Sequence, residues 1–256
     1  MAALFCGAAW GQAPSYSAAN IVNVSDYSAG PFAPNSVLSL FGTNLSYSDP
    51  VTVSQASMNG DYLPVQLGGV EVMVDNQPAP LLYVAAGQIN FLVPSTEIPG
   101  TSTVQVFRQG LYGPAVQITL VNAAPALFPH PDYAGYAIAQ DWNNASALAT
   151  PDAPAHAYDT IVLYLTGLGQ TQPNYDPGEI PTTMTNLANA ATLQVLLNGT
   201  AIDSSVVKYA GVTPGSGGLY QINFVLPDGL APDPEIRISL AGQCSAAGLK
   251  LAVRKQ

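Results

Sequence analysis

Gly87-Gln88-Ile89-Asn90-Phe91-Leu92-Val93-Pro94 and Tyr220-Gln221-Ile222-Asn223-Phe224-Val225-Leu226-Pro227 are two copies of one phrase, set roughly 130 residues apart. Each follows an alternating apolar run, Val70, Val72 and Val74 or Leu193, Val195 and Leu197, and then a small turn, Asp75-Asn76 or Asn198-Gly199. Alternation of period two marks a half-buried strand, and Asn, Asp and Gly pairs form tight turns. The chain therefore reads as a duplicated β unit. On a strand, Ile89 and Phe91 share one face and Gln88 and Asn90 the other, and the same holds for Ile222 and Phe224 against Gln221 and Asn223. The apolar pairs are expected in the core. Asn90 and Asn223 are expected to tie a neighbouring loop's backbone; the alternative is a paired contact surface.

Working outward, the first unit opens with Ser36-Val37-Leu38-Ser39-Leu40-Phe41 and, after a polar insert over residues 46–64, continues through strands near 70–74, 81–84, 89–93, 103–107 and 116–120. The second opens with Thr160-Ile161-Val162-Leu163-Tyr164-Leu165 and continues near 193–197, 206–209, 221–226, 235–240 and 249–253. Short strands at this spacing predict an all-β chain of two tandem immunoglobulin-like sandwiches. The expected organisation is a leader over 1–19, a first sandwich over 20–122, an inter-unit segment over 123–159 and a second sandwich over 160–256. The polar, alanine-rich inter-unit segment could be a linker or extra strands packed on one unit.

Of the 256 residues, 48% are hydrophobic and only 9% charged, so the surface must be carried by Ser, Thr, Asn, Gln, Ala and Tyr. Six basic residues against sixteen acidic ones give a net charge of −10. That balance excludes nucleic acid as a partner, because phosphate binding needs clustered cations, and it disfavours anionic membrane surfaces. No stretch is long enough for a membrane-spanning helix. Residues 1–13 close on small residues like the end of a secretory signal peptide, which predicts a secreted protein. Cys6 and Cys244 are the two cysteines; they allow neither a disulfide framework nor a cysteine zinc site, and Cys244 is expected to be buried.

Several phrases occur in an order that resembles one family. They are Asn20-Ile21-Val22-Asn23, Pro34-Asn35-Ser36-Val37-Leu38-Ser39-Leu40-Phe41-Gly42-Thr43-Asn44-Leu45, Pro78-Ala79-Pro80-Leu81-Leu82-Tyr83-Val84, Ala124-Pro125-Ala126-Leu127-Phe128, Tyr164-Leu165-Thr166-Gly167-Leu168-Gly169 and the two Gln-Ile-Asn copies. Together they resemble the Solibacter-type C-terminal domain family, and Phe41-Gly42-Thr43-Asn44-Leu45 also resembles the start of a TIG-type immunoglobulin-like domain. The resemblance implies an extracellular module usually appended to large secreted proteins. Here only a leader precedes it, so the chain is expected to be a free-standing version or a fragment.

Catalysis finds little material. His130 and His156 are the only candidate bases for a nucleophile, and there is no Gly-x-Ser-x-Gly elbow. Asp176 with Glu179, or Asp228 with Asp233 and Glu235, could serve a glycan-active hydrolase, but they sit in Pro/Gly turns where acids cap backbone amides. Asp176 to Glu179, or Asp141-Trp142-Asn143-Asn144, could gather calcium ligands, though neither has the alternation of a known calcium loop. Tyr133, Tyr136 and Trp142 lie among Asn and Asp side chains, a pattern on which sugar rings can stack. The sequence thus predicts a non-enzymatic binding, adhesive or assembly module with no cofactor and no metal. Its expected partners are a carbohydrate or protein at the cell surface, or copies of itself; a glycan-binding module or glycan-active hydrolase is the alternative.

Overall fold

A computed structural model of the chain describes residues 11–254. No α-helix occurs among them, and the all-β expectation holds. The first half contributes β1 (Ile21–Asn23), β2 (Val37–Phe41), β3 (Val51–Thr52), β4 (Val70–Val74), β5 (Gln77–Pro78), β6 (Leu81–Val84), β7 (Gln88–Leu92), β8 (Gly100–Arg108), β9 (Leu111–Tyr112) and β10 (Val116–Leu120). They form two antiparallel sheets, β1-β2-β7-β6-β3 and β10-β8-β4-β5, with β9 on β8. Leu38, Leu40, Leu81, Ile89 and Phe91 from one sheet bury against Val70, Val72, Val74, Val104 and Val106 from the other. Inward aliphatic and aromatic side chains thus fill one sandwich core.

The second half contributes β11 (Ala126–Leu127), β12 (Ala139–Asp141), β13 (Ala147–Leu148), β14 (Thr160–Thr166), β15 (Thr171–Gln172), β16 (Asn186–Leu187), β17 (Gln194–Leu197), β18 (Thr200–Ala201), β19 (Val207–Val212), β20 (Tyr220–Val225), β21 (Ile236–Leu240) and β22 (Gln243–Cys244). Their sheets run β13-β12-β14-β20-β19-β16-β15, with β11 on β14, and β18-β17-β21-β22. The pairing β2-β7-β6 recurs as β14-β20-β19, and β8-β4-β5 recurs as β21-β17-β18. Even the bulge between Leu81 and Tyr83 recurs between Val207 and Tyr209. The repeated phrase occupies β7 and β20, the central strand in each case.

One open alternative is decided, extra strands packed on the second unit, and three expectations need correction. Residues 123–159 form no spacer: β12 adds to β14, and Ala137, Ala139, Ala149 and Ala155 are buried in the second core. The alanines that give the segment a linker-like composition are what allow its backbone to lie close against the sandwich. The leader boundary at residue 19 is too late: Ser15 pairs with Thr43, and buried Tyr16 donates to the Pro114 carbonyl (2.7 Å) and accepts from the Val106 N–H (2.8 Å). The rest of the leader, residues 1–10 with Cys6, lies outside the described residues. Cys244 is exposed, because it stands on the edge strand β22. The strand expected near 249–253 is replaced by single bridges from Lys250 to Tyr136 and Glu235 and from Val253 to Ala155.

The halves are docked through their polar inserts. Leu63 N–H donates to the Gly178 carbonyl (2.8 Å) and Ile180 N–H to the Asp61 carbonyl (2.7 Å). Ser95 is a second clasp: its hydroxyl donates to the Tyr175 carbonyl (2.5 Å), and its carbonyl accepts from Gln170 Nε2 and Asn174 Nδ2 (both 2.9 Å). Between the clasps, Val37, Leu63 and Leu92 form a small apolar cluster with Val24, Val53, Leu82 and Ile180. The loop between β19 and β20 closes over it. Gly218 (φ +75°) lies so near that a Cβ would stand 2.4 Å from Leu92 Cδ1 and 2.5 Å from Val37 Cγ2. Glycine is required there both by conformation and by space.

Candidate functional site

The outer face of the first sheet carries the first copy of the phrase. Strand register places Val22, Ser39, Asn90, Tyr83 and Thr52 in one row across all five strands, and Phe41 beside Gln88 in the next. Cross-strand partners share a face, so these side chains form one surface. Ile89 and Phe91 are buried while Gln88 and Asn90 are half-buried, the sidedness that alternation predicts. Asn90 Oδ1 accepts from Ser39 Oγ (3.0 Å) and from Gln88 Nε2 (2.9 Å). The asparagine therefore ties side chains of its own sheet and not a loop's backbone, which corrects the expected role. Asn90 Nδ2 and Gln88 Oε1 take no protein partner among the described residues. Tyr27, 62% exposed, stands with its ring 6.1 Å from that of Phe41.

The second copy is built alike, with Gln221 and Asn223 half-buried as Gln88 and Asn90 are, but its neighbours differ. Asn223 Oδ1 accepts from Gln221 Nε2 (3.1 Å), while the position of Ser39 is taken by Val162, which offers no hydroxyl. Tyr164, the counterpart of Phe41, donates its hydroxyl to Gln140 Oε1 (2.8 Å) on the added strand β12. Tyr209, the counterpart of Tyr83, is buried, donating to the Val212 carbonyl (2.7 Å) and accepting from Thr185 N–H (3.0 Å). Burial raises the phenol pKa of both Tyr164 and Tyr209. One phrase thus serves two settings, which differ in the tyrosine beside it: half-buried at Tyr83 and buried at Tyr209.

Among the described residues no two of the Tyr133, Tyr136 and Trp142 rings pair with each other. Tyr133 donates to Asp152 (2.5 Å), which lifts the phenol pKa, and Tyr136 donates to Asp233 (3.0 Å). Trp142 is 65% exposed at the turn between β12 and β13. A polar hollow nearby is lined by Asp141, Asn143, Asn144, Asp152, His156 and Asp159. Burial, and then the carboxylate of Asp159, push the Asp141 carboxyl above the usual range, while the N–H groups of Asn143 and Asn144 pull against this. Among the described residues no group of three or more His, Cys, Asp or Glu side chains is arranged to hold a metal ion.

The carboxylates and imidazoles that a hydrolase would need serve as caps or lie apart. Glu179 accepts from Asp176 N–H, Asp228 from Gly229 N–H, Asp233 from Val253 N–H and Glu235 from Gly248 N–H. His130 Nδ1 accepts from Asp132 N–H, and His156 sits 3.6 Å from Asp159. Ser39, Phe41 and Tyr83, which complete the open face, were not singled out in the sequence. Strand pairing is what brings them to Gln88 and Asn90, and a single sequence does not print its register.

No family model and no curated protein matches this chain. Among solved structures it is similar to a surface glycan-binding protein, PbSGBP-B from Prevotella bryantii, at 14% identity and a TM-score of 0.29, over 94% of this chain and 42% of that one. It is similar to a Bacteroides ovatus SGBP-B in complex with a mixed-linkage heptasaccharide at 9% identity and 0.34, over 87% and 42%. Domains 5-6 of the S-layer protein SbsC align at 12% identity and 0.26, over 95% and 99%. The chain spans under half the length of the two glycan-binding proteins. Likeness at these scores carries no conclusion about what this chain binds.

Proposed function

We propose that this chain is an exported, non-catalytic binding or adhesive module in which two immunoglobulin-like sandwiches are held together and present side chains to a partner at the cell surface. The observation that carries this reading is the contrast between its groups. Glu179, Asp228, Asp233 and Glu235 accept from backbone N–H groups, whereas the half-buried Phe41, Tyr83, Gln88 and Asn90 share the outer face of the first sheet. Export is supported by the small-residue run near Ala13. Among the described residues no helix is long and apolar enough to cross a membrane.

Pairing with copies of itself through sheet edges has less support. Strands β3, β5, β13, β15, β18 and β22, which end their sheets, have two residues each. Short edges are a standard guard against edge-to-edge pairing. The longer edge, β10, is partly taken by Phe32, whose N–H and carbonyl bond Thr119 and Val121. Incubating the purified chain with polysaccharides and cell-surface proteins, and following both retention and product, tests the proposal. Retention without product is expected. Product formation abolished by Asp176→Asn or Glu179→Gln would put a glycan-active hydrolase in its place.

A further inference from the structure

We infer that the open face around Gln88 and Asn90 is the binding site and that its ligand is an uncharged polysaccharide strand, an inference that rests on the binding-module reading. Three observations point there. The face carries fixed hydrogen-bonding groups: Ser39 and Gln88 hold Asn90 Oδ1 from two sides. That leaves Asn90 Nδ2 as donor and Gln88 Oε1 as acceptor for a ligand hydroxyl, which can play both roles. Those amides stand among aromatic rings, with Tyr83 in the row of Asn90, Phe41 in the row of Gln88 and Tyr27 beyond it. Sugar rings offer both C–H faces for stacking and hydroxyls for amides. Neither row contains a charged residue, and a chain of net charge −10 repels anionic polymers.

The second observation is asymmetry. In the second half Tyr164, the counterpart of Phe41, is tied to Gln140 on β12, and Tyr209, the counterpart of half-buried Tyr83, is buried. A demand of the fold alone would leave both copies alike; the first keeps Tyr83 half-exposed where Tyr209 is buried. The third is continuity. Along β2 and β7 the same face passes from Ser39 and Asn90 to Val37 and Leu92, at the contact between the halves. There it enters an apolar groove lined by Val24, Val37, Val53, Leu82, Phe128 and Gly218. A strand lying across the amides is thereby led along the junction, which gives the site length as well as breadth. A peptide is a poorer fit, since backbone pairing needs a sheet edge and this is a face.

Affinity electrophoresis of the full chain through gels containing a soluble β-glucan, a galactomannan, an amylopectin or polygalacturonate tests the inference. At least one neutral polysaccharide should retard the chain, with no retardation by polygalacturonate. Gln88→Ala and Phe41→Ala should each weaken retardation by about tenfold, as the loss of one good contact does, whereas Gln221→Ala and Trp142→Ala should leave it unchanged. Melting curves identify any variant that fails to fold, and Gln88→Ala, a surface truncation, carries the test if Phe41→Ala does. Retardation that survives both first-face variants and disappears with Trp142→Ala would overturn the location while leaving the binding-module reading intact. Retardation by polygalacturonate would overturn the ligand's neutrality. Absence of retardation by every polysaccharide would overturn the inference, and breakdown of the polysaccharide would overturn the binding-module reading beneath it.

Discussion

Glu97 is 6% exposed and its Oε1 accepts no hydrogen bond, and burial first, then the nearby Asp75 carboxylate, push its carboxyl above the usual range. In the folded chain it therefore keeps its proton to a higher pH than in the unfolded chain. Its contribution to stability is fully present below the unfolded pKa, falls as pH rises through the window up to the raised folded pKa, and is flat above it. Glu97→Gln keeps the shape and removes the titration. Denaturant midpoints should coincide near about pH 3 and favour the variant near about pH 7. Asn90 and Asn223 separate in the same kind of measurement. Asn90 Oδ1 serves two partners and Asn223 Oδ1 one, so Asn90→Ala should cost about 1 kcal/mol and Asn223→Ala less. Equal losses would mean that the Ser39 bond contributes nothing.

At the scale of elements, alternation and turn chemistry made the central strands legible. Val70, Val72 and Val74 point inward as their spacing predicts, and so do Ile236, Ile238 and Leu240. What stayed hidden depends on contacts between segments distant in sequence. Arg108 is a cation that is buried: its guanidinium donates to the carbonyls of Gln12 and Asn44 and lies 3.6 Å from the centre of the Tyr47 ring. It is what fastens the segment before β1 to the end of β8, and for the same reason the leader boundary was drawn too late. Arg108→Met, which retains most of the packing but none of the donors, should speed proteolysis within residues 12–20 relative to the rest of the chain. Unchanged cleavage there would show that Tyr16 and the Ser15–Thr43 pairing hold the segment without it. The alanines of 123–159 leave linker and extra strands both open in the sequence for a related reason: small side chains are ambiguous in composition and become informative only beside β14, which they lie against.

At the scale of the molecule, the candidate face is useful only if the second half holds a fixed position beside it. The duplicated phrase was readable from the sequence, but not the way in which the polar inserts of the two halves clasp each other. Gly218 is the sharpest point of that contact, and Gly218→Val brings a side chain into Leu92 and Val37 at a φ that β-branched residues avoid. The variant should lose stability and expose the small apolar cluster while both sandwich cores persist, giving separated transitions. Differential scanning calorimetry of the full native chain tests the fixed docking most directly: one cooperative transition, with calorimetric and van't Hoff enthalpies equal, is predicted. Two independent transitions in the native chain would contradict it.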